Sequence, residues 1–386
     1  MIVNPAHPVV AEHVRERAEV VFQEDPKGTG DAVRRVPAER LQGHDVLVVN
    51  GDMPLVRAET IRALLGRGEL ITAVRSRRPD GRIVRTNGRF ERIVEWKDAS
   101  AAERELEEVN AGLYVFDGDR LVLALAELKP SPATGELYLT DAVAPGAEVV
   151  ELDPVEAHGI NSRQDLQAAE SAVNLATLQQ LMEAGVGVHD LLTTFVDPGV
   201  EVGEDTVIEP FTILRGNTKI GSGCRIGPYA HLTDTVVGDG CRVEHSRLDR
   251  CSLGEGSDCG PFVRVRAGTE VARHVHIGTF AEINRTRIGE GSAVPHFSYL
   301  GDAVIGRDVN IAAGTVTANY DGKAKHVTEI EDGVFVGVGT MLRAPVKLGR
   351  GSRTGAGAVV LQDVPPGDTV AGVPARSIRK AGERAR

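Results

Sequence analysis

The chain contains few aromatic residues, few cysteines and fewer basic than acidic side chains. Aromatic residues make up 4% of the 386 residues, whereas there are 44 glycines. This balance favours a solenoid, whose narrow interior is filled by small stacked side chains. The formal net charge of −11 argues against nucleic acid as a partner, because a phosphate backbone is bound by a positively charged surface. A small anionic substrate stays compatible, since a local group of arginines or lysines can oppose the overall sign.

Long apolar runs and paired cysteines are also absent from the sequence. No segment approaches the roughly 18 consecutive apolar residues of a transmembrane helix, and the N-terminus lacks the basic-then-apolar pattern of a signal peptide. We therefore expect a cytoplasmic protein without a membrane partner. No two cysteines form a CxxC pair, which predicts small buried core residues in a reducing compartment. The cysteines are Cys224, Cys241, Cys251 and Cys259.

An aliphatic residue, often followed by glycine, recurs at multiples of about six residues in the back half of the chain. Ile220 and Ile226 are six residues apart, as are Leu348 and Thr354, and Val202 precedes Ile220 by eighteen. This period predicts a triangular parallel β-helix, in which each hexapeptide forms a short strand and a corner and eighteen residues close one coil. The aliphatic side chain points into the prism, and the small residue lets the chain turn.

The front half of the chain has a different pattern. Apolar runs such as 46–49 and 113–116 alternate with helical stretches such as 58–65 and 101–108, which predicts an α/β domain with a largely parallel sheet. Apolar residues at a helical period then predict one long helix over 163–182. The resulting domain boundaries are 1–161 for the α/β domain, 162–190 for the linker helix, 191–364 for the β-helix and 365–386 for a poorly ordered tail.

The α/β domain begins in an unusual way. Residues 1–3 read as the end of a strand, 7–18 as a helix and 20–22 as the next strand. A nucleotide-binding domain normally starts with a strand and a Gly-rich turn whose N–H groups hold phosphates. No such turn precedes Gly28, so we expect the first strand and Gly-rich loop of such a domain to be missing.

Polar motifs follow several apolar runs of the first domain. Asp52 comes after the strand 46–49, so its carboxylate is expected at the edge of the sheet where ligands bind. A hard carboxylate there suits Mg²⁺, although an isolated Asn-Gly-Asp forms a turn more often than a metal site. The motifs span 23–30, 50–55, 81–85, 93–98, 108–112, 135–141 and 159–161.

Two irregularities interrupt the hexapeptide repeat. His296 occupies a corner where a small residue is expected, and residues 319–326 form a polar insert. A lone histidine is more often structural than catalytic. His274 and His276 share one face of a strand, but without a third histidine at a suitable spacing we expect surface residues rather than a zinc site.

Taken together, in this order and at this spacing, the motifs resemble one bacterial family, the bifunctional N-acetylglucosamine-1-phosphate uridyltransferases / glucosamine-1-phosphate N-acetyltransferases. The resemblance runs from about residue 2 to residue 360. It implies a Rossmann-like α/β nucleotidyltransferase domain, here incomplete at its N-terminus, then a linker helix and a left-handed parallel β-helix, assembled as a homotrimer. It also implies UTP, N-acetylglucosamine 1-phosphate, glucosamine 1-phosphate and acetyl-CoA as substrates, with Mg²⁺ as the metal cofactor.

In the first domain the resemblance implies a binding site for UDP-N-acetylglucosamine. The segment with Gln23 resembles the uracil-recognition segment, and Asp52 and Asn161 resemble the two protein ligands of Mg²⁺. The family's Gly-rich loop with its cations would precede residue 1, so we expect weak uridylyl transfer or none. The residues implied for this site are Gln23, Gly28, Thr29, Asn50, Gly51, Asp52, Gly81, Glu95, Asn110 and Asn161.

In the second domain His296 resembles the family's catalytic base, which removes a proton from the 2-amino group of glucosamine 1-phosphate as it attacks acetyl-CoA. An imidazole titrating near neutrality suits that step. The residues implied to contact the acceptor are Arg266, Asn284, Tyr299 and Asn310. Those implied to contact acetyl-CoA are Ala313, Asn319, Tyr320, Val338 and Ala356, and Lys325 could face a phosphate.

The sequence departs from the family pattern at several positions. Asn284 replaces a substrate-binding lysine, for which the neighbouring Arg285 could compensate, and Val338 replaces a coenzyme-contacting serine. The segment 370–376 resembles simpler hexapeptide acetyltransferases. These departures leave two alternatives beside the bifunctional enzyme: an acetyltransferase alone, acting on the same or on another amino sugar, or a non-catalytic regulatory trimer that binds sugar nucleotides.

Overall fold

The computed structural model describes residues 1–378, and the chain divides after Ala172 into two compact units. Within residues 1–172 the strands are β1 Ile2–Val3, β2 Val21–Phe22, β3 Asp45–Val49, β4 Leu70–Arg75, β5 Arg82–Thr86, β6 Arg89–Val94, β7 Glu108–Asp117 and β8 Glu148–Glu151. The α-helices are α1 Pro8–Val14, α2 Thr29–Arg34, α3 Ala58–Leu64, α4 Ala101–Arg104, α5 Gly118–Glu127 and α6 Arg163–Glu183, the last of which continues into the second unit. Short 3₁₀ helices lie at Ala38–Arg40 and Leu139–Ala142.

The sheet of the first unit is mixed, so the prediction of a largely parallel sheet was wrong. β7 pairs antiparallel with β3, β4 and β5, while β4 and β8 are parallel. Part of the physical reason lies in the connection between β5 and β6. Asn87 and Gly88, both with positive φ, join β5 and β6 as a tight hairpin, whereas a parallel pair needs a long crossover. β1 and β2 form a separate parallel pair.

The second unit is a parallel β-helix, as the repeat predicted, and of the left-handed class that the family resemblance implied. Its strands stack into three faces, each built from every third strand. Face 1 holds Phe195–Val196, Ile213–Arg215, His231–Thr233, Arg247–Asp249, Arg264–Val265, Glu282–Asn284, Tyr299–Gly301, Val316–Ala318, Met341–Arg343 and Val359–Val360. Face 2 holds Glu201–Val202, Lys219–Ile220, Val236–Val237, Ser252–Leu253, Glu270–Val271, Arg287–Ile288, Ala303–Ile305, Thr328–Ile330 and Val346–Leu348. Face 3 holds Gly187–Val188, Val207–Ile208, Arg225–Ile226, Arg242–Val243, Asp258–Cys259, His276–Thr279, Ala293–His296, Asn310–Ile311, Phe335–Val336, Arg353–Thr354, Thr369–Ala371 and Arg376–Ser377.

The β-helix extends further than the sequence indicated at both ends. It begins at Gly187–Val188, and Thr369–Ala371 pairs in parallel with Arg353–Thr354. Arg376–Ser377 then turns back as an antiparallel strand, so residues 369–377 are ordered by sheet hydrogen bonds rather than forming a loose tail. The last residues of the predicted tail, 379–386, lie outside the described residues.

Aliphatic side chains fill the interior of each coil, and corner positions carry threonine, serine or cysteine. Ile208, Leu214 and Ile220 illustrate one buried coil. The four cysteines are free and buried, as expected for small core residues. In the described part of the chain, no helix combines the length and the apolar character that crossing a membrane requires.

Candidate functional sites

A cavity of about 710 Å³ in the first unit brings together most of the residues implied for nucleotide-sugar binding. The lining comes from loops that are far apart in the sequence but meet around the sheet. The implied residues that line it are Gly28, Thr29, Asn50, Asp52, Gly81, Glu95, Asn110 and Asn161. Sequence reasoning missed further polar lining residues, namely Arg78, Asp80, Tyr138 and Thr140.

The segment that starts at Gly28 is fixed by contacts with the segment at Leu137. Gly28 has a φ of 107°, and a Cβ there would lie 2.5 Å from the carbonyl oxygen of Leu137, so only glycine fits. The Thr29 hydroxyl accepts a hydrogen bond of 3.0 Å from the backbone N–H of Leu139. Thr29 therefore begins α2 at a fixed position on the cavity wall.

Two of the residues implied for this site, Gln23 and Gly51, are not part of the cavity lining that the described residues 1–378 form. Gln23 is buried, and its side-chain amide donates to the Asp31 carboxylate at 2.8 Å and to the Gly28 carbonyl at 3.2 Å. The Gln23 amide thus holds the Gly28 turn, a role that the sequence pattern did not reveal. Gly51 is exposed in the turn before Asp52.

The side chains of Asp52 and Asn161 lie beside Gly159. A Cβ on Gly159 would be 3.1 Å from Asp52 Oδ2 and 3.9 Å from Asn161 Nδ2, and the Ile160 N–H donates to the Asp52 carbonyl at 2.9 Å. A carboxylate and an amide are oxygen donors of the kind Mg²⁺ prefers, and Mg²⁺ commonly takes few protein ligands beside substrate phosphates. No group of three or more His, Cys, Asp or Glu side chains suited to a metal occurs in the described residues. The donor set therefore fits a Mg²⁺ ion whose other ligands come from phosphate and water.

Glu95 also lines the cavity and has other acidic groups near it. Its carboxylate accepts a hydrogen bond of 2.9 Å from the Thr140 hydroxyl. Burial raises the pKa of Glu95, the nearby Asp141 adds to that rise, and the Thr140 hydrogen bond opposes it. Asn110 is held by its backbone N–H, which donates to the Gly81 carbonyl at 2.8 Å. The Asn110 side chain is also held, because its amide donates to the Tyr114 hydroxyl at 2.6 Å and its oxygen accepts from the Gly112 N–H at 3.2 Å.

The only tryptophan of the chain, Trp96, follows Glu95 directly. The guanidinium carbons of Arg82 and Arg104 lie over its indole ring, 4.6 Å and 5.3 Å from the centroid. Arg82 is fully buried in β5, next to Gly81 of the cavity. The two cation–π contacts fix the segment that carries Glu95.

In the second unit, Arg266 and Asn284 line a second cavity of about 630 Å³ on face 1, together with Arg285. On the next coil Tyr299 lies opposite Glu282, and Gly301 lies opposite Asn284. A Cβ on Gly301 would lie 2.6 Å from the Tyr299 hydroxyl and 2.7 Å from Asn319 Nδ2. The absence of a side chain at Gly301 thus lets these polar groups converge.

Arg285, the expected substitute for the missing lysine, is already engaged by an acidic residue. Its guanidinium donates to both carboxylate oxygens of Asp302, at 2.7 Å and 2.9 Å, and the Asn319 amide donates to the same carboxylate. The Arg285 guanidinium, with the Asn319 amide, lowers the pKa of Asp302. Asn319 is therefore buried in this cluster, while Tyr320 is exposed with its hydroxyl bonded to the Gly322 carbonyl at 2.7 Å.

His296 ends a strand of face 3 and its side chain is exposed. The register of Ala293 with Asn310, of Asn310 with Phe335 and of Phe335 with Arg353 gives one column of equivalent positions on four successive coils. This column is His296, Ala313, Val338 and Ala356. The implied base and three implied coenzyme contacts therefore lie along one corner of the β-helix, with Asn310 on the adjoining strand.

The residue type changes along the neighbouring column of the same corner. On coils up to His296 it carries a row of rings in contact, stacked except for the tilted His245, with centroid separations of 4.7 to 5.5 Å: Phe211, Tyr229, His245, Phe262, Phe280 and Phe297. On the following coils the equivalent residues are Gly314, Gly339 and Gly357. The corner beyond His296 is therefore open, with space for a ligand along Ala313, Val338 and Ala356.

Known proteins resemble the chain over almost its full length. Residues 199–234 match the family model described as bacterial transferase hexapeptide (six repeats). The bifunctional protein GlmU of Fervidobacterium nodosum is 40% identical over 99% of this chain and 86% of its own length. The proteins of the same name from Carboxydothermus hydrogenoformans and Rubrobacter xylanophilus are 42% and 45% identical, over 92% and 96% of this chain and 83% of their own lengths.

High identity across both units, joined in the same order, extends well beyond the hexapeptide repeat alone. The chain belongs to the bifunctional GlmU family of transferases.

Proposed function

We propose that the chain serves UDP-N-acetylglucosamine synthesis in the cytoplasm as a homotrimer. The second unit transfers acetyl from acetyl-CoA to glucosamine 1-phosphate, and the first transfers uridylyl from UTP to the N-acetylglucosamine 1-phosphate so formed. The observation that carries the proposal is the column of His296, Ala313, Val338 and Ala356, whose first coil continues into the strand Tyr299–Gly301 with its polar groups.

In the acetyl transfer, the 2-amino nitrogen of the acceptor attacks the thioester carbonyl of acetyl-CoA. His296 accepts the proton that the nitrogen loses, and the carbon–sulfur bond breaks to release the coenzyme thiol, which takes up a proton. Arg266 binds the acceptor phosphate, while Asn284, Tyr299 and Asn310 orient the sugar. The open corner beyond His296 accommodates the coenzyme, along with Tyr320 and the Asn319 backbone segment.

His296 has no side-chain hydrogen-bond partner among residues 1–378, and the acceptor groups lie on an open face. A site that holds both substrates is completed, in this proposal, by a neighbouring copy in the trimer. Lys325, on the polar insert, supplies a phosphate contact to such a shared site.

In the first unit, Asp52 and Asn161 hold Mg²⁺, which when bound offsets the negative charge of the phosphates. Glu95, Gly81 and Asn110 hold the sugar, Asn50 packs against Gly112 beside them, and Gly28 and Thr29 border the uracil, with Gln23 fixing that turn.

The experiment that tests acetyl transfer is the His296→Ala variant, assayed with glucosamine 1-phosphate and acetyl-CoA. Loss of a general base predicts a fall in kcat of about 100-fold or more. His276→Ala is the matched control, because His276 is an exposed strand histidine whose imidazole pairs with Asp258 at 2.7 Å. Equal rates for the parent and His296→Ala would refute the assignment.

A second candidate is acetyl transfer to a different amino-sugar phosphate. Asn284 in place of lysine, with Arg285 held by Asp302, favours it, because the acceptor loses one free cation. Comparing kcat/KM across several amino-sugar phosphates distinguishes the two, since glucosamine 1-phosphate would then not be the preferred acceptor.

A further inference from the structure

The cavity on face 1 contains more positive charge than one sugar phosphate needs. Its lining includes five arginines and two aspartates, and it extends across neighbouring coils away from Arg266. The arginines are Arg247, Arg250, Arg264, Arg266 and Arg285. The concentration is local, because the whole chain has a formal net charge of −11.

Two of these arginines lack a counter-charge. Arg247 pairs with Asp249 at 2.9 Å, Arg266 with Glu282 at 3.0 Å and Arg285 with Asp302. Within residues 1–378, neither Arg250 nor Arg264 has a carboxylate oxygen within 4.0 Å. Two guanidinium groups therefore face the cavity without an internal partner.

Two of the arginines are also aligned so that they repel each other, while Glu282 is the other cross-strand partner of Arg264. Arg247 and Arg264 are direct cross-strand partners, about 4.8 Å apart across the strand spacing. Like charges opposite each other on a sheet are destabilising. His231, the next partner of Arg247, has its pKa lowered by burial and by the positive charge of Arg247. An arrangement that costs stability in the free protein is relieved when an anion binds between the arginines.

We propose that Arg264, on the same coil as Arg266, and Arg247 and Arg250, on the preceding coil, form a second anion subsite that binds a diphosphate group. Guanidinium groups bind phosphate oxygens in a bidentate manner, and two linked phosphates match the charge of several arginines better than one. The inference rests on the proposed function in one respect: Arg266 is taken as the contact of the acceptor phosphate, which leaves the other three arginines without a role.

A diphosphate group has two sources in the proposed function. Uridylyl transfer from UTP releases inorganic diphosphate, and its other product carries a diphosphate between sugar and nucleoside. Binding of either one beside Arg266 would place a like charge next to the acceptor phosphate. A product of the first activity would then weaken acceptor binding for the second.

The test is calorimetric titration of the full chain, without acetyl-CoA or Mg²⁺, using inorganic diphosphate, orthophosphate and UDP-N-acetylglucosamine. We expect diphosphate to bind more tightly than orthophosphate, and Arg250→Ala and Arg264→Ala each to weaken it about tenfold. Arg264→Lys keeps the charge without the bidentate geometry and should give an intermediate loss. Arg287→Ala on face 2, which removes an exposed pair with Glu270, is the matched control and should change nothing.

The titrants separate the two sources. Loss of a UDP-N-acetylglucosamine binding event in Arg264→Ala identifies the sugar nucleotide, whereas loss of diphosphate binding alone identifies the free anion. The proposal would be overturned if diphosphate bound no more tightly than orthophosphate. It would also be overturned if Arg287→Ala weakened diphosphate binding as much as Arg250→Ala and Arg264→Ala do. Because the titration needs no turnover, failure of the acetyl-transfer assay leaves its result interpretable. Circular dichroism of each variant checks that the fold is retained.

Discussion

The first unit encloses its candidate site in a cavity, whereas the second carries its candidate residues on an open surface. In the α/β unit, residues from Gly28 to Asn161 reach one cavity because loops at the ends of strands converge. In the β-helix, equivalent positions of successive coils stack on one another, so the candidate residues form rows and columns on an open surface. The difference teaches that the α/β unit can enclose a ligand alone, while the β-helix presents its candidate residues on an open surface that, in the proposed trimer, a neighbouring copy would close.

The strongest way to test the enclosed site is to remove its carboxylate. We expect Asp52→Ala to weaken Mg²⁺-dependent binding of UDP-N-acetylglucosamine by at least about 100-fold, because a hard cation loses its charged ligand. Calorimetry with and without Mg²⁺ measures the change. Asp119→Ala is the control, since Asp119 is exposed and lies outside the cavity lining. Acetyl transfer should be unaffected, and a parallel loss there would show that the two sites are coupled.

On face 1 of the β-helix, removal of a single cation should have a smaller effect than removal of the Asp52 carboxylate. We expect Arg266→Ala to raise the KM for glucosamine 1-phosphate about tenfold with little change in kcat, because the lost contact is made equally in ground and transition states. Steady-state kinetics at saturating acetyl-CoA measure the split. A fall in kcat without a change in KM would instead place Arg266 at the reacting atoms.

Restoring a cation at Asn284 should have a smaller effect in the opposite direction. Asn284→Lys adds a charge to a half-open cavity that already contains Arg266 and Arg285, so we expect the KM for the acceptor to fall about threefold. The side chain at this position is buried, and a modest loss of stability should accompany the gain. An unchanged KM would favour the alternative acceptor.

The smallest expected effect concerns stability of the enclosed site. Burial raises the pKa of Glu95, so the folded state favours the protonated carboxyl, and stability falls as pH rises from the ordinary value of 4.5 through the raised value. Glu95→Gln lacks this titration. Its unfolding midpoint should exceed that of the parent by about 2 °C at neutral pH, with the difference vanishing below pH 4.5. A pH-independent difference in differential scanning fluorimetry would assign the effect to packing instead.

Much of the fold follows from the sequence because the repeat length equals the coil length. His296 and Ala313 are seventeen residues apart, which is one coil, so their alignment could be predicted from the sequence. Between Ala313 and Val338 lies the insert 319–326. Only the strand register shows how many of the intervening residues belong to the insert and how many to the coil. The mixed sheet was missed although Asn87-Gly88 is a strong hairpin signal.

The direction in which a side chain points was the second feature that could not be predicted from the sequence. The sequence placed Gln23 among the cavity residues, while the structure shows its amide turned to Asp31 and Gly28. The arginines of face 1 could have been found, since Arg247 and Arg264 are seventeen residues apart, one coil of the repeat. The pair of Arg285 with Asp302 has the same spacing of seventeen residues, so the repeat could have indicated that Arg285 meets a carboxylate on the next coil.

The single tryptophan gives the chain a built-in optical label. Trp96 borders the cavity of the first unit through Glu95, and the second unit contains no indole. Emission excited at long ultraviolet wavelengths therefore originates in the first unit alone. Since two guanidinium groups lie over the ring, a ligand that shifts Glu95 should also alter the charge around the excited state and change the emission colour or yield. Events at one site can thus be followed in the intact two-unit protein without attaching a dye.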